Sequence, residues 1–162
     1  METKRYRTID RQAMGWPAGP WDDEDDKVQW QDEATGFPCL AVRNPRMGHW
    51  CGYVGVSAGH PAFGMRYELF DGEVHGGLSY ADFCQPEATE GQGICHVPSP
   101  GEDERIYWLG FHCAHGFDLL PRLAKFGDVL PEDTYRTLDY VQRECVRLAQ
   151  WLRNLNKKEN ES

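Results

Sequence analysis

The feature that most constrains this fold is an apolar stripe near the C-terminus. Leu138, Val141, Cys145, Leu148, Leu152 and Leu155 recur at alternating steps of three and four, the spacing that places side chains on one face of an α-helix. Pro131-Glu132-Asp133-Thr134 ahead of the stripe supplies a capping residue with acids in the first turn. A one-sided helix must lie on something apolar. The stripe is shorter than the three or four heptads of a coiled coil, so it predicts packing across a sheet.

The preceding residues supply that sheet. Lys27 to Gln31 alternates around Val28 and Trp30, Thr35-Gly36 marks a turn, and Phe37 to Arg43 is apolar enough for a buried strand. A second turn at Asn44-Pro45-Arg46-Met47-Gly48 leads into His49 to Val56, where Gly52 and Gly55 mark a bulge or a close backbone approach. Ile106 to Cys113 is a further apolar strand, and His115 to Lys125 starts a short helix ended by Pro121 or Gly127. The expectation is an α+β fold: an antiparallel meander of about four strands covered by the C-terminal helix.

Length sets the rest of the organisation. With 162 residues, 40% of them hydrophobic, the chain suits one core. Residues 1–26, with two Trp-Pro-Gly clusters and an acidic run, read as an irregular arm pinned by Trp16 and Trp21. A single domain then covers 27–156 and a polar tail 157–162. Residues 81–105 read as a long Pro/Gly-rich loop, which needs a metal or a Cys84 to Cys95 disulfide to hold it. No run approaches the ~18 apolar residues of a membrane span and no secretory leader is visible, so the expected location is the cytoplasm. There Cys39, Cys51 and Cys145 read as core thiols.

Charge is segregated. Asp22 to Glu33 carries a net of −6, with Asp22, Asp23, Glu24, Asp25 and Asp26 consecutive, whereas Thr134 to Lys158 carries +4. The five acids are the candidate partner-binding residues for a protein partner. An overall charge of −9 gives no nucleic-acid signature.

Chemistry concentrates in Gly110-Phe111-His112-Cys113-Ala114-His115-Gly116-Phe117-Asp118 and in His75-Gly76-Gly77. Imidazoles, a thiol and a carboxylate are the ligands a borderline-soft cation selects, so His75, His115 and Asp118 with His112 or a water are the candidate zinc ligands. The alternative set, Cys84, Cys95 and His96 with Cys113 or His75, is thiolate-rich and structural in character. His49 and His60 stand outside either cluster. Cys113 beside His115 or His75 is a candidate nucleophile, although it ends an apolar strand. Asp71 and Glu73 are candidate bases by nearness to His75. No zinc-finger, H-E-x-x-H, P-loop, G-x-S-x-G or dinucleotide signature is present.

The order of motifs carries a resemblance. Gly36-Phe37-Pro38-Cys39, Gly48 to Val56, Gly59-His60-Pro61, Val74-His75-Gly76-Gly77-Leu78-Ser79-Tyr80, Ile94-Cys95-His96-Val97-Pro98 and Trp108 to Asp118 with Pro121 resemble a group of small phage and prophage proteins. In that group the late motif reads Gly-Phe-Asp-Cys-Ala-His, so His112 stands where aspartate is common. A histidine can replace aspartate as a ligand but not as a carboxylate base. The resemblance implies an accessory role in the host cell and no particular reaction. Two functions are therefore expected: a zinc-holding accessory protein that binds a host or phage macromolecule, such as a host-defence effector it inhibits, or a metal-dependent hydrolase of a nucleotide or phosphoester. A hydrogen-bonded histidine cluster of purely structural role is the third reading.

Overall fold

The computed structural model describes residues 1–87, 89–124 and 130–161. A six-stranded antiparallel sheet runs in the order β1-β2-β3-β4-β8-β5, from β1 (Lys4–Tyr6), β2 (Lys27–Gln31), β3 (Pro38–Arg43), β4 (Trp50–Val56), β5 (Tyr80–Phe83) and β8 (Tyr107–His112). A separate small hairpin pairs β6 (Gln85–Pro86) with β7 (Gly93–Ile94). Helix α1 (Pro121–Ala124) is a single turn and α2 (Leu138–Glu161) is the long C-terminal helix. The fold is α+β, as the stripe predicts, with two strands more than the expected meander.

Period-two alternation explains the packing. Val28, Cys39, Ala41, Trp50, Val54, Val56, Leu109 and Phe111 face α2 and join Val141, Cys145, Leu148 and Leu152 in the main core. Leu40, Tyr53, Ile106 and Trp108 form a smaller cluster on the opposite face. Gly52 is what lets the helix approach: a Cβ there would lie 2.5 Å from Phe111 Cζ and 2.8 Å from Cys145 Sγ. Among the described residues no helix is long and apolar enough to cross a membrane.

Several boundaries differ from the sequence reading. The arm of residues 1–26 contains β1, a charged three-residue edge strand whose composition carries no apolar alternation. Both Trp16 and Trp21 are buried. The loop 81–105 includes most of β5, the β6–β7 hairpin and a Cys84–Cys95 disulfide with Cα atoms 4.8 Å apart. Disulfides persist mainly in oxidising compartments, so this pairing lends nothing to a cytoplasmic location. Buried Lys27 holds the same segment, donating from Nζ to the carbonyls of Glu90 and Cys95 at 2.8 Å. The polar tail continues α2 through Glu161. Lys125 and Gly127, parts of the expected short helix, lie outside the described residues.

The helix cap also moves. Thr137, not Thr134, accepts the Tyr140 N–H through Oγ1, and the Glu24 carboxylate accepts the Leu138 N–H at 2.6 Å. Thr134 instead pairs with the Phe117–Leu119 backbone.

Candidate metal centre

Three polypeptide segments meet beyond the end of β8. The strand ends at His112, a turn follows, and Asp118 N–H donates to the His115 carbonyl at 3.0 Å. The chain then pairs with Thr134, which fixes the approach to α2. His75 arrives from the loop before β5, and Gly76 explains how. Its φ is +69°, and a Cβ there would lie 2.1 Å from the His115 ring, so glycine supplies both the backbone angle and the space.

The convergence is specific. His75 Nε2 lies 2.8 Å from Asp118 Oδ2, and His115 Nδ1 lies 3.4 Å from the same oxygen. One ligand atom from each of His75, His115 and Asp118 falls within 4.8 Å of the others. Asp118 is 5% exposed, while both histidines are half-buried. Burial alone would raise the Asp118 carboxyl's pKa, but hydrogen bonds from His75, the His115 backbone and Arg136 hold it below its ordinary value. The carboxylate is therefore charged at neutral pH.

Its surroundings orient the three side chains. Arg136 Nε donates to Asp118 Oδ1 at 2.9 Å, and Tyr140 Oη is 2.8 Å from His75 Nδ1. Such outer partners fix ring orientation and tautomer at metal sites. Within the cluster one atom is left over: His115 Nδ1, like four other buried side-chain atoms of the chain, has no hydrogen-bond partner among the described residues. Bond lengths of 2.0–2.1 Å imply a tetrahedral ligand edge of roughly 3.4 Å, which matches the His115–Asp118 separation, while the His75–Asp118 separation is that of a hydrogen bond. Two imidazoles and a carboxylate are a set that could hold a metal ion.

His112 is brought beside this group. Its ring stacks on that of His115 at 4.3 Å, and its Nδ1 is 2.8 Å from Ser79 Oγ. Burial, then the His115 ring, lowers its pKa. Asp71 and Glu73 are exposed and make no hydrogen bond to the cluster among the described residues. Cys113 is 1% exposed in the core, with burial followed by Asp118 and Cys51 pushing its thiol far above the ordinary range, which withdraws it as a nucleophile.

The alternative thiolate set does not assemble. Cys84 and Cys95 are bonded to each other, His96 packs edge-on against Trp108 at 5.3 Å, and Cys113 belongs to the core under α2. Most of the acidic run is engaged within the chain. Asp26 is 2% exposed and bonds Arg11, Arg43 and the backbone of Thr8 and Ile9. Glu24 accepts from Arg43, Tyr135 and Leu138, Asp22 caps Gly19, and Asp25 meets Arg5. Asp23 alone is exposed. Sequence order could not show that buried arginines wait for these acids.

Sequence reasoning also missed Arg136 and Tyr140. They lie four residues apart, outside the apolar stripe, and nothing in their spacing marks them. Comparison of the chain with known protein families, characterised proteins and solved structures finds no match.

Proposed function

We propose that His75, His115 and Asp118 hold a divalent cation, zinc by their donor chemistry, and that this three-ligand centre serves a metal-dependent hydrolase. The observation that supports the reading is the orphaned His115 Nδ1, buried and 3.4 Å from a carboxylate oxygen that His75 already approaches. A buried imidazole nitrogen without a partner is costly in a finished protein, and a cation would satisfy it.

Three protein ligands favour a catalytic centre over a structural one. Structural zinc sites close with four protein groups, whereas catalytic ones leave a position for water. When bound, such a cation supplies a water acidic enough to act as a nucleophile near neutral pH. The chain's own groups do the positioning: Arg136 holds Asp118, Tyr140 fixes the His75 ring, and Ser79 with the His115 ring sets His112 at the margin. A phosphoester substrate suits the Arg136 cation.

The test is elemental analysis of the purified protein with turnover of bis(p-nitrophenyl) phosphate, before and after chelation. We expect about one zinc per chain, hydrolysis that chelation abolishes, and loss of both in Asp118→Asn. Stoichiometric zinc without turnover would return the centre to a holding role, as in a phage-type accessory protein that acts by binding a macromolecule. Absence of any bound metal after zinc addition would remove both metal readings.

A further inference from the structure

Phe117, immediately before Asp118, breaks two rules at once. Its φ of +77° makes it the one residue other than glycine with positive φ among the described residues. Its side chain is 64% exposed. A left-handed backbone is strained for an aromatic residue, and glycine would adopt it freely. Gly116, next to it, does not have the positive φ. The strain is over-determined by the backbone: Asp118 N–H donates to His115, Thr134 N–H to Phe117 at 2.7 Å, and Leu119 N–H to Thr134 at 2.8 Å. That turn is what delivers Asp118 to the two histidines. A ring kept there, so little buried, contributes little packing in return.

Strain of this kind concentrates at ligand sites. A second observation defines the ligand's charge. Arg136 uses Nε on Asp118, while its other guanidinium nitrogens have no hydrogen-bond or ion-pair partner among the described residues, and its side chain is 25% exposed. One edge of this cation is thus available beside the cluster. We infer that the site takes an anionic ligand bearing a planar ring, a nucleoside monophosphate in chemical class, with Phe117 as the stacking platform and Arg136 as a phosphate anchor. Phe117 is then a specificity-determining residue, and the inference rests on the proposed metal centre only for the phosphate's second contact.

The probes are AMP and ribose 5-phosphate, which differ by the base. Both are titrated calorimetrically into zinc-loaded and metal-free protein, wild type, Phe117→Gly and Phe117→Trp, with melting temperatures recorded. Stacking predicts that wild type binds AMP about tenfold more tightly than ribose 5-phosphate. Phe117→Gly should erase that preference while raising the melting temperature by roughly 2–4 °C, because the strain is released. Phe117→Trp should keep the preference. Equal binding of the two probes to wild type, an AMP preference that survives in Phe117→Gly, or a lowered melting temperature of that variant would overturn the inference. Zinc that fails to bind while the AMP preference persists would remove the metal reading and leave the platform standing.

Discussion

Two dense clusters of charge lie in this molecule, and they differ in how completely they are satisfied. Around Asp26 and Glu24, every carboxylate oxygen has a donor: Arg11, Arg43, two backbone N–H groups, Tyr135 and the first N–H of α2. Around Asp118 the carboxylate is equally served, yet the imidazole beside it is left with an unpaired nitrogen. The first cluster ties the N-terminal arm, β3 and α2 into one unit. The second joins the turn after β8, the loop before β5 and the start of α2, and it keeps one imidazole nitrogen unpaired among the described residues. On the reading proposed above, the closed network is a scaffold and the open one, at a chain crossing, is a site.

The largest effect should come from breaking the closed network. Asp26→Ala would take from Arg11, which is 7% exposed, its carboxylate partner and leave Arg43, which is 2% exposed, with Glu24 as its carboxylate. Removing one partner of a buried ion pair destabilises by about 3–5 kcal/mol. Chemical denaturation should show that loss, whereas the same measurement on Asp23→Ala, at an exposed position, should show a change within about 0.5 kcal/mol. Equal stabilities for the two variants would mean that the network is not what joins arm to helix.

Acid should act next. His49 is 8% exposed, and burial, then His112, lower its pKa to about 4 from an ordinary 6.5. The unfolded chain therefore binds a proton that the folded chain refuses between those values, so stability contributed here is full above pH 6.5 and lost as pH falls towards 4. The difference corresponds to on the order of 3 kcal/mol. Melting curves of His49→Gln should show a shallower pH slope across that window than wild type. An identical slope would assign the acid sensitivity elsewhere.

What the sequence made legible was what periodicity encodes. The stripe from Leu138 to Leu152 is buried residue for residue, and Cys39, Trp50 and Leu109 fall on the face that meets it. Periodicity is silent about β1, a three-residue charged strand held by pairing to β2, and about Thr137, whose capping role depends on where Thr134 is diverted. His75, His115 and Asp118 were legible as residue types at two turns. Arg136 and Tyr140 were not, because their roles arise only when α2 is laid beside the turn. The intramolecular contacts of the acids at 22–26 were hidden for the same reason: a charge run shows its sign and not its partners.

Gly76 joins the open cluster to its backbone. Gly76→Ala would put a methyl group into the His115 ring at a φ of +69°, with an expected loss of about 1–2 kcal/mol. The informative reading is whether zinc affinity falls as well. Weakened zinc binding at near-native stability would show that the glycine spaces the ligands. Unchanged affinity would place His115 outside the centre.

His115→Ala should have the smallest effect on the bare fold and sharpens the contrast most. The side chain is 34% exposed, and among the described residues its orphaned nitrogen makes no hydrogen bond that truncation could remove. Metal-free wild type and His115→Ala should therefore unfold within about 0.5 kcal/mol of each other. Zinc then separates them. At a free concentration a hundred times the dissociation constant, a site formed only in the folded state adds about 2.7 kcal/mol, and wild type alone should gain it. The same zinc titration on Asp26→Ala should restore part of the lost stability, because the open cluster and the closed network are different structures on one sheet. A His115→Ala protein that is markedly less stable without metal, and indifferent to zinc in the same way as wild type, would make the open cluster a scaffold like the other.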